Sequence, residues 1–389
     1  MELLLVAVTS VCLVETVGAS FQSEWKTAAY QSTQQTIVPE ECTLSGQPVF
    51  NPSNTIDARD QSLFDVINTT EDFSAFLNLV QSSPTLTAIL KSPDTNATLF
   101  VPTNLAFPPI KGGSSTKEEI SNYHVVAYPL SYTDLVCTPT LPTLLQPHTL
   151  NGPQRMRVEW TLCGPVIDNH SRVLPKTMHT RNGYLHVISS ILQPPQKNIW
   201  ETILELPSSR YSTFQEALRQ VNVAKHHLMA VQSCLRGSTA FVPTNAAFEK
   251  LGKSRVEHLF SPEGRRELET LVDAHIIANR TLYSNAYYES EISSGCADRN
   301  VSDDNHDSSP VFRRRKAAVV MGQGSLRYLC QWGERVFQLI DKNGMNHRVE
   351  VLRLGRLISM VIDGSIFVSA QDKNTGSSDG VVHGINTIL

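Results

Sequence analysis

Histidine is the side chain most able to bind metals or move protons near neutral pH, and this chain has 12. No two form the His-x-His pairs that hold copper, and no H-E-x-x-H helix is present. His226 and His227 are adjacent; on a helix neighbouring side chains point about 100° apart, a poor geometry for sharing one metal ion. His124 and His275 sit in apolar, strand-like runs, and His186 and His383 lie in similar ones. None has a nucleophile or carboxylate partner nearby in sequence, so each reads as a core histidine bonded to backbone and not as a base. The G-x-S-x-G elbow and the phosphate-cradling loop are both missing. The sequence thus offers no catalytic residue, no metal ligand set and no cofactor site. Arg313-Arg314-Arg315-Lys316 is the strongest charge run. It reads as a solvated loop balanced by Asp303, Asp304 and Asp307, as a dibasic processing site, or as a patch for an acidic partner or polysaccharide.

The elements around these histidines occur twice. FVPTN is found at Phe100-Val101-Pro102-Thr103-Asn104 and again at Phe241-Val242-Pro243-Thr244-Asn245, 141 residues apart, at 100 and 241. Thr98 to Val101 and Thr239 to Val242 are β-prone runs that predict buried strands. The prolines, which have no N–H to donate, stop the ladder. Thr103-Asn104 and Thr244-Asn245 supply N-capping oxygens, and Ala106-Phe107 and Ala247-Phe248 begin a helix with the phenylalanine inward. Before each copy lies a stretch with apolar residues at helical spacing, residues 60–80 and 211–232. After each come a histidine segment and a closing Gly-x-x-His segment, ending at His186 and His383. Two ordered copies this long are tandem domains and not a solenoid. The boundaries expected are 60–195 for the first copy and 196–389 for the second, with residues 20–59 as an N-terminal extension. His124 and His186 are separated by 62 residues but His275 and His383 by 108, so the second copy holds about 46 more. A polar insertion around 290–325 supplies much of that excess.

The 389 residues are 41% hydrophobic and 18% charged, with net charge −4. That balance suits globular domains and gives no sign of a nucleic-acid binder. Residues 1–19 read as a secretory signal peptide, with an apolar run from Leu3 to Val14 and a small-residue site at Val17-Gly18-Ala19. Glu2 and Glu15 are unusual there, and the run is too short for a membrane anchor. Cys12 would leave with that peptide. Cys42, Cys137, Cys163, Cys234, Cys296 and Cys330 remain, an even number that favours disulfides in a secreted chain. Proximity suggests Cys137 with Cys163 and Cys296 with Cys330, leaving Cys42 for Cys234. Five N-x-S/T sequons, at Asn68, Asn96, Asn169, Asn279 and Asn300, predict a glycoprotein.

With both FVPTN-x-A-F stretches, Tyr123-His124-Val125-Val126, Asn182-Gly183-Tyr184-Leu185-His186 and Asp379-Gly380-Val381-Val382-His383, the chain resembles the fasciclin domain family over residues 60–389. The resemblance implies an α+β fold, each domain a β-wedge of two packed sheets with several short helices. Ala274 stands where the family pattern has the tyrosine of the tyrosine-histidine pair. The resemblance implies an extracellular binding module without an active site of its own. More specifically, the chain is similar to fungal fasciclin-domain proteins of pigment and toxin pathways. Those work beside a secreted laccase-like oxidase that couples aromatic polyketides through aryl radicals. The alternative is an adhesion, cell-wall or matrix protein that holds a glycan or a cell-surface protein.

Overall fold

A computed structural model describes residues 55–107, 115–161, 164–221, 237–289, 333–354, 357–369 and 372–389. Cys42, Cys163, Cys234, Cys296, Cys330, Asn300, His226, His227, the signal peptide and Arg313 to Lys316 lie outside these residues, as does the expected insertion at 290–325. Cys137 ends the 3-10 turn Asp134–Cys137, and its expected partner is among the residues not described.

The architecture is α+β. In the first copy, β1 (Thr55–Ala58) precedes three helices, Leu63–Thr69, Ser74–Gln81 and Pro84–Lys91. The helical stretch expected across 60–80 is therefore two helices. Ser62 starts the first through a capping box with Asp65. Thr69 and Thr70 end it, Thr70 being extended, and the chain restarts through the 3-10 turn Glu71–Phe73. β-branched and short polar residues are weak helix formers, which is why the break falls there. β1 belongs to the segment read as an extension, yet it pairs in parallel with β7 (Ser171–Thr180), Thr55 opposite Thr177.

The strands β2 (Ala97–Pro102), β3 (Val125–Val126) and β8 (Gly183–Ile188) join β7 in the order β3-β2-β8-β7. The sheet continues through β6 (Gly164–Ile167), β5 (Arg155–Thr161) and β4 (Thr140–Pro142). In the second copy β9 (Ser238–Pro243), β10 (Ile276–Ala278), β17 (Thr375–Ser377) and β18 (Gly380–Ile385) repeat the first four, in the order β10-β9-β18-β17. The pairings match one for one. The FVPTN strand is antiparallel to the strand after the histidine and parallel to the closing strand, which is antiparallel to its predecessor. Here the copies diverge. β13 (Gly333–Ile340), β14 (Asn346–Leu354), β15 (Leu357–Ile362) and β16 (Ile366–Phe367) form a separate sheet, and β11 (Arg280–Tyr283) pairs with β12 (Ala286–Glu289) as a hairpin.

Each copy has two apolar clusters, one on either side of its FVPTN strand. Leu99 and Val101 face the helices while Phe100 packs on the opposite side with Met156 and Val158 of β5 and Ile167 of β6. Ala240 and Val242 face theirs while Phe241 points the opposite way. This is the period-two alternation of a strand buried on both faces. Pro102 and Pro243 are the last paired residues of their strands. The turn that follows is a three-residue 3-10 segment, Asn104–Ala106, in the first copy and a short α-helix, Asn245–Glu249, in the second. Phe248 is buried as expected, but Phe107 is only partly so.

Candidate functional site

The repeated residues close the two domains by one set of bonds. Phe100 lies opposite His186 in the β2–β8 register, and Phe241 lies opposite His383 in the β9–β18 register. In each pair the rings stack, with centroids 5.5 and 5.7 Å apart. His186 Nε2 donates to the Leu130 carbonyl at 2.9 Å, and His383 Nε2 to that of Leu282 at 2.7 Å. The other ring nitrogen accepts, from the Thr177 hydroxyl in one copy and the Asn374 amide in the other. Thr98 and Thr239 grip the same segments, each hydroxyl accepting the N–H of Leu130 or Leu282 and donating two residues upstream, to Tyr128 or Arg280.

His124 and His275 occupy helix C-caps, not strands as their apolar neighbours suggested. Their φ near −85° and ψ near 0° place each one residue before the strand it seemed to start. Nδ1 donates back to the Ile120 or Leu271 carbonyl, and Nε2 accepts the N–H of Leu192 or Leu389. Burial pushes all four histidines down to about 4, so they are neutral at physiological pH with both nitrogens used. Neither a free lone pair for a metal nor a proton carrier is left. Among the described residues no group of three His, Cys, Asp or Glu side chains could hold a metal ion.

Asn104 and Asn245 were expected to cap the helix after them. They reach backwards instead. Asn104 Oδ1 accepts the Ala75 N–H while Nδ2 donates to Glu71 O and Ser74 Oγ. Asn245 does the same with Thr213, Ser209 and Ser212. Only Thr244 caps forward, onto Ala247, and Thr103 makes no such bond.

The tyrosine exchange has a structural partner. Tyr123 Oη donates to Asp168 Oδ2 at 2.8 Å, and Asp168 Oδ1 accepts the Arg157 N–H at 2.8 Å. In the second copy Asp363 holds the Arg348 N–H at 2.8 Å, and its other oxygen faces His347 Nδ1 at 2.8 Å. Asp168 and Asp363 both sit at positive φ, 49° and 50°, in the turn of a β-hairpin. His347 therefore supplies the donor that Ala274 cannot. The Asp168-Asn169 and Asp363-Gly364 pairs are hairpin-turn signals that sequence reading passed over.

Between the copies, Arg155 is nine-tenths buried and bonded through all three guanidinium nitrogens. Its guanidinium donates to Thr140 Oγ1, to the Thr140 carbonyl and to Tyr288 Oη. Tyr288 returns a bond to the Pro153 carbonyl, and Asn285 donates to Thr140 O at 2.8 Å. Gly152 lies against the Tyr288 ring so closely that a Cβ there would fall 2.9 Å from it. Beside this contact opens a cleft of about 580 Å³, within the size range of small-ligand sites. Its first-copy wall includes Asp168, Asn169 and Gln193; its second-copy wall includes Gln196, Thr202, Asp372 and Thr375. Its only ring side chains among the described residues are those of His170 and two prolines, Pro195 and Pro207.

Of the sequons, Asn68, Asn96 and Asn169 are exposed and Asn279 is half-buried. No helix among the described residues is long and apolar enough to cross a membrane.

Comparison with known proteins places these bonds in context. The Aurofusarin biosynthesis cluster protein S of Gibberella zeae is 26% identical over 260 residues, 62% of this chain and 60% of that protein. Mouse stabilin-2 is 31% identical over 106 residues, a quarter of this chain and 4% of stabilin-2. Mouse stabilin-1 is 25% identical over 194 residues, 47% of this chain and 7% of stabilin-1. The chain thus spans less than two thirds of each of these relatives, 60% of the first and under a tenth of the stabilins. A solved FAS1 domain pair from the insect cell adhesion molecule fasciclin I matches at a TM-score of 0.34 and 15% identity, over 82% of this chain and 96% of that one. The fasciclin domain pattern itself matches twice, at residues 71–194 and 209–324, and with that the chain belongs to the fasciclin domain family as a tandem pair.

Proposed function

We propose that the chain is a secreted, glycosylated binding protein that assists an extracellular laccase-like oxidase in the oxidative coupling of aromatic polyketides, in fungal pigment or toxin biosynthesis. One observation carries this reading. The similarity to the aurofusarin cluster protein runs over 260 residues, longer than either fasciclin match, so it takes in parts of both domains. The chemistry is compatible with a helper. The motif histidines are spent on backbone bonds, and Arg155 with Tyr288 ties the domains into one block. Such a block can hold an oxidase or its radical product in one orientation, and orientation alone lowers a bimolecular barrier by several kcal/mol.

Deletion of the gene in a producing fungus tests this. Uncoupled monomer should accumulate while the oxidase is still secreted and active. Normal coupled product in the deletion strain would sink the proposal. Tight binding of the purified protein to cell walls or cell surfaces, with coupling unaffected, would instead select adhesion.

A further inference from the structure

We propose that the chain assembles head to tail, the tip of the β13–β14 hairpin docking on the β7–β8 end of the first domain of a second copy. The two domains of one chain already make a contact of this kind, and backbone bonds fix which residues correspond. Asp168 accepts the Arg157 N–H and donates its own to the Arg157 carbonyl; Asp363 and Arg348 do the same. Along the paired strands from there, Thr140 matches Gln338, Pro142 matches Ile340 and Arg155 matches Asn346. Gln154 matches Met345, since each carbonyl closes its hairpin by accepting the N–H of Thr143 or Asp341. In the first copy Thr140, Gln154 and Arg155 are buried in the seam, and Gln154 Nε2 donates to the Ser377 carbonyl at 3.4 Å. In the second copy the same positions are bare. Gln338 and Asn346 are exposed, Ile340 is 49% exposed and Met345 64%. Methionine is enriched at protein interfaces. The tip is also held still, as a docking element should be. Lys342 Nζ lies over the Trp200 ring, 5.6 Å from its centroid, and Asn343 Nδ2 donates to the Thr270 carbonyl at 2.9 Å.

The receiving face has its own counterpart in the first domain. Gly183 and Gly380 open the closing strands, so Ser377 matches Thr180, Gly376 matches His179 and Val381 matches Tyr184. The Ser378 N–H donates to the Lys197 carbonyl as the Arg181 N–H does to that of Gln61. In the seam, a Cβ on Gly376 would lie 3.6 Å from Gln154 Nε2, an ordinary contact. The matching contact between two chains sets His179 against Met345. His179 stacks on Tyr184, with ring centroids 4.5 Å apart and planes 8° from parallel, and both residues are partly exposed. A thioether against aromatic rings is a favourable contact. Both sides of the contact have therefore changed together, from an amide beside a glycine to a methionine beside two rings. Asn346 stands in place of Arg155, so no guanidinium has to be carried into the contact without its Tyr288 partner. Two unlike faces do not close on each other in a pair, so the contact repeats and gives open chains of tandem domains.

Sedimentation of the full secreted chain tests this. The weight-average mass should at least double between about 1 and 100 µM, the range expected for a contact of modest affinity. Met345→Asp on the tip and His179→Glu on the receiving face should each return the chain to a monomer across that range. Both side chains are at least partly exposed, so thermal unfolding should match that of the unaltered chain. Ile340→Asp is a second tip variant should the first fail to fold. Mixing is the decisive arm. The Met345→Asp chain keeps its receiving face and the His179→Glu chain keeps its tip, so together they should form a two-chain species that grows no further. A chain that stays monomeric at the highest concentration overturns the proposal. So does association that Met345→Asp abolishes but His179→Glu leaves intact, because another surface would then be receiving the tip. A mixture that stays monomeric also overturns it, since the tips would then be pairing with each other.

Discussion

At the scale of residues, the most informative position is the one the two copies do not share. Tyr123 is fully buried, and its hydroxyl spends its hydrogen on Asp168. The aspartate in turn organises a hairpin turn at positive φ, a conformation that costs a non-glycine residue energy unless its side chain is held. The second domain keeps that aspartate as Asp363 and changes the donor to His347, whose Nε2 also lies 3.4 Å from Asp341. Ala274 is thus the visible half of a two-site exchange. The sequence displayed the alanine but hid its compensation, which lies 73 positions away, at 347 against 274, on another element. Tyr123→Phe should cost about 1–2 kcal/mol, the penalty for leaving an enclosed carboxylate one donor short. Burial already pushes Asp168 up to about 6, and losing the tyrosine bond should raise it further. Denaturant unfolding gives the first quantity and a carboxylate NMR titration the second; an unchanged titration would mean that the hydroxyl does not serve the aspartate.

At the scale of elements, what was legible was what repeats locally. The buried strand, its proline end and the closing histidine could be read because their residues are contiguous and occur twice. The direction of the Asn104 and Asn245 side chains could not, since it depends on a helix about thirty residues earlier in the chain. The C-cap role of His124 and His275 was hidden because the apolar residues flanking them fit a strand equally well. The closing glycines show what such patterns conceal. Gly183 has φ 141°, and a Cβ there would lie 1.8 Å from the Ala97 carbonyl oxygen on the neighbouring strand. At Gly380 the same construction meets Ser238 O at 2.3 Å. These glycines let the FVPTN strand and the closing strand meet where their parallel ladder begins. Gly183→Ala should therefore cost more than about 3 kcal/mol and unfold the first domain before the second. Gly344→Ala is the control. Its φ is 83° but nothing lies within 4 Å, so about 1–2 kcal/mol is expected. Equal losses for the two would show that conformation alone, and not the strand contact, demands Gly183.

At the scale of the whole molecule, four neutral histidines are the pins of two domains, and their chemistry sets how the protein meets acid. Burial holds His124, His186, His275 and His383 at about 4, against 6.5 when free. Above pH 6.5 each ring is neutral whether the chain is folded or not, and its contribution is intact. Between 6.5 and 4 the unfolded chain takes up protons that the folded chain refuses, so stability falls with pH. At pH 5 the loss is about 2 kcal/mol per ring. Asp168 works in the opposite sense. Raised from 3.8 to about 6, it keeps a proton in the fold that the unfolded chain has released, so its burial penalty is relieved as pH drops through 6. That relief, about 1.4 kcal/mol at pH 5, belongs to the first domain. Burial raises Asp379 in the second domain too, but less than Asp168, so the second domain should still be the more acid-labile of the two. Hydrogen exchange read by mass spectrometry across pH 7 to 4.5, corrected for the intrinsic rate, resolves the domains separately. Protection of β9 and β18 should fall before that of β2 and β8, with little change in either above pH 6.5. A flat profile down to pH 4.5 would mean that the rings are protonated in the folded protein and that their backbone bonds are not what closes the domains.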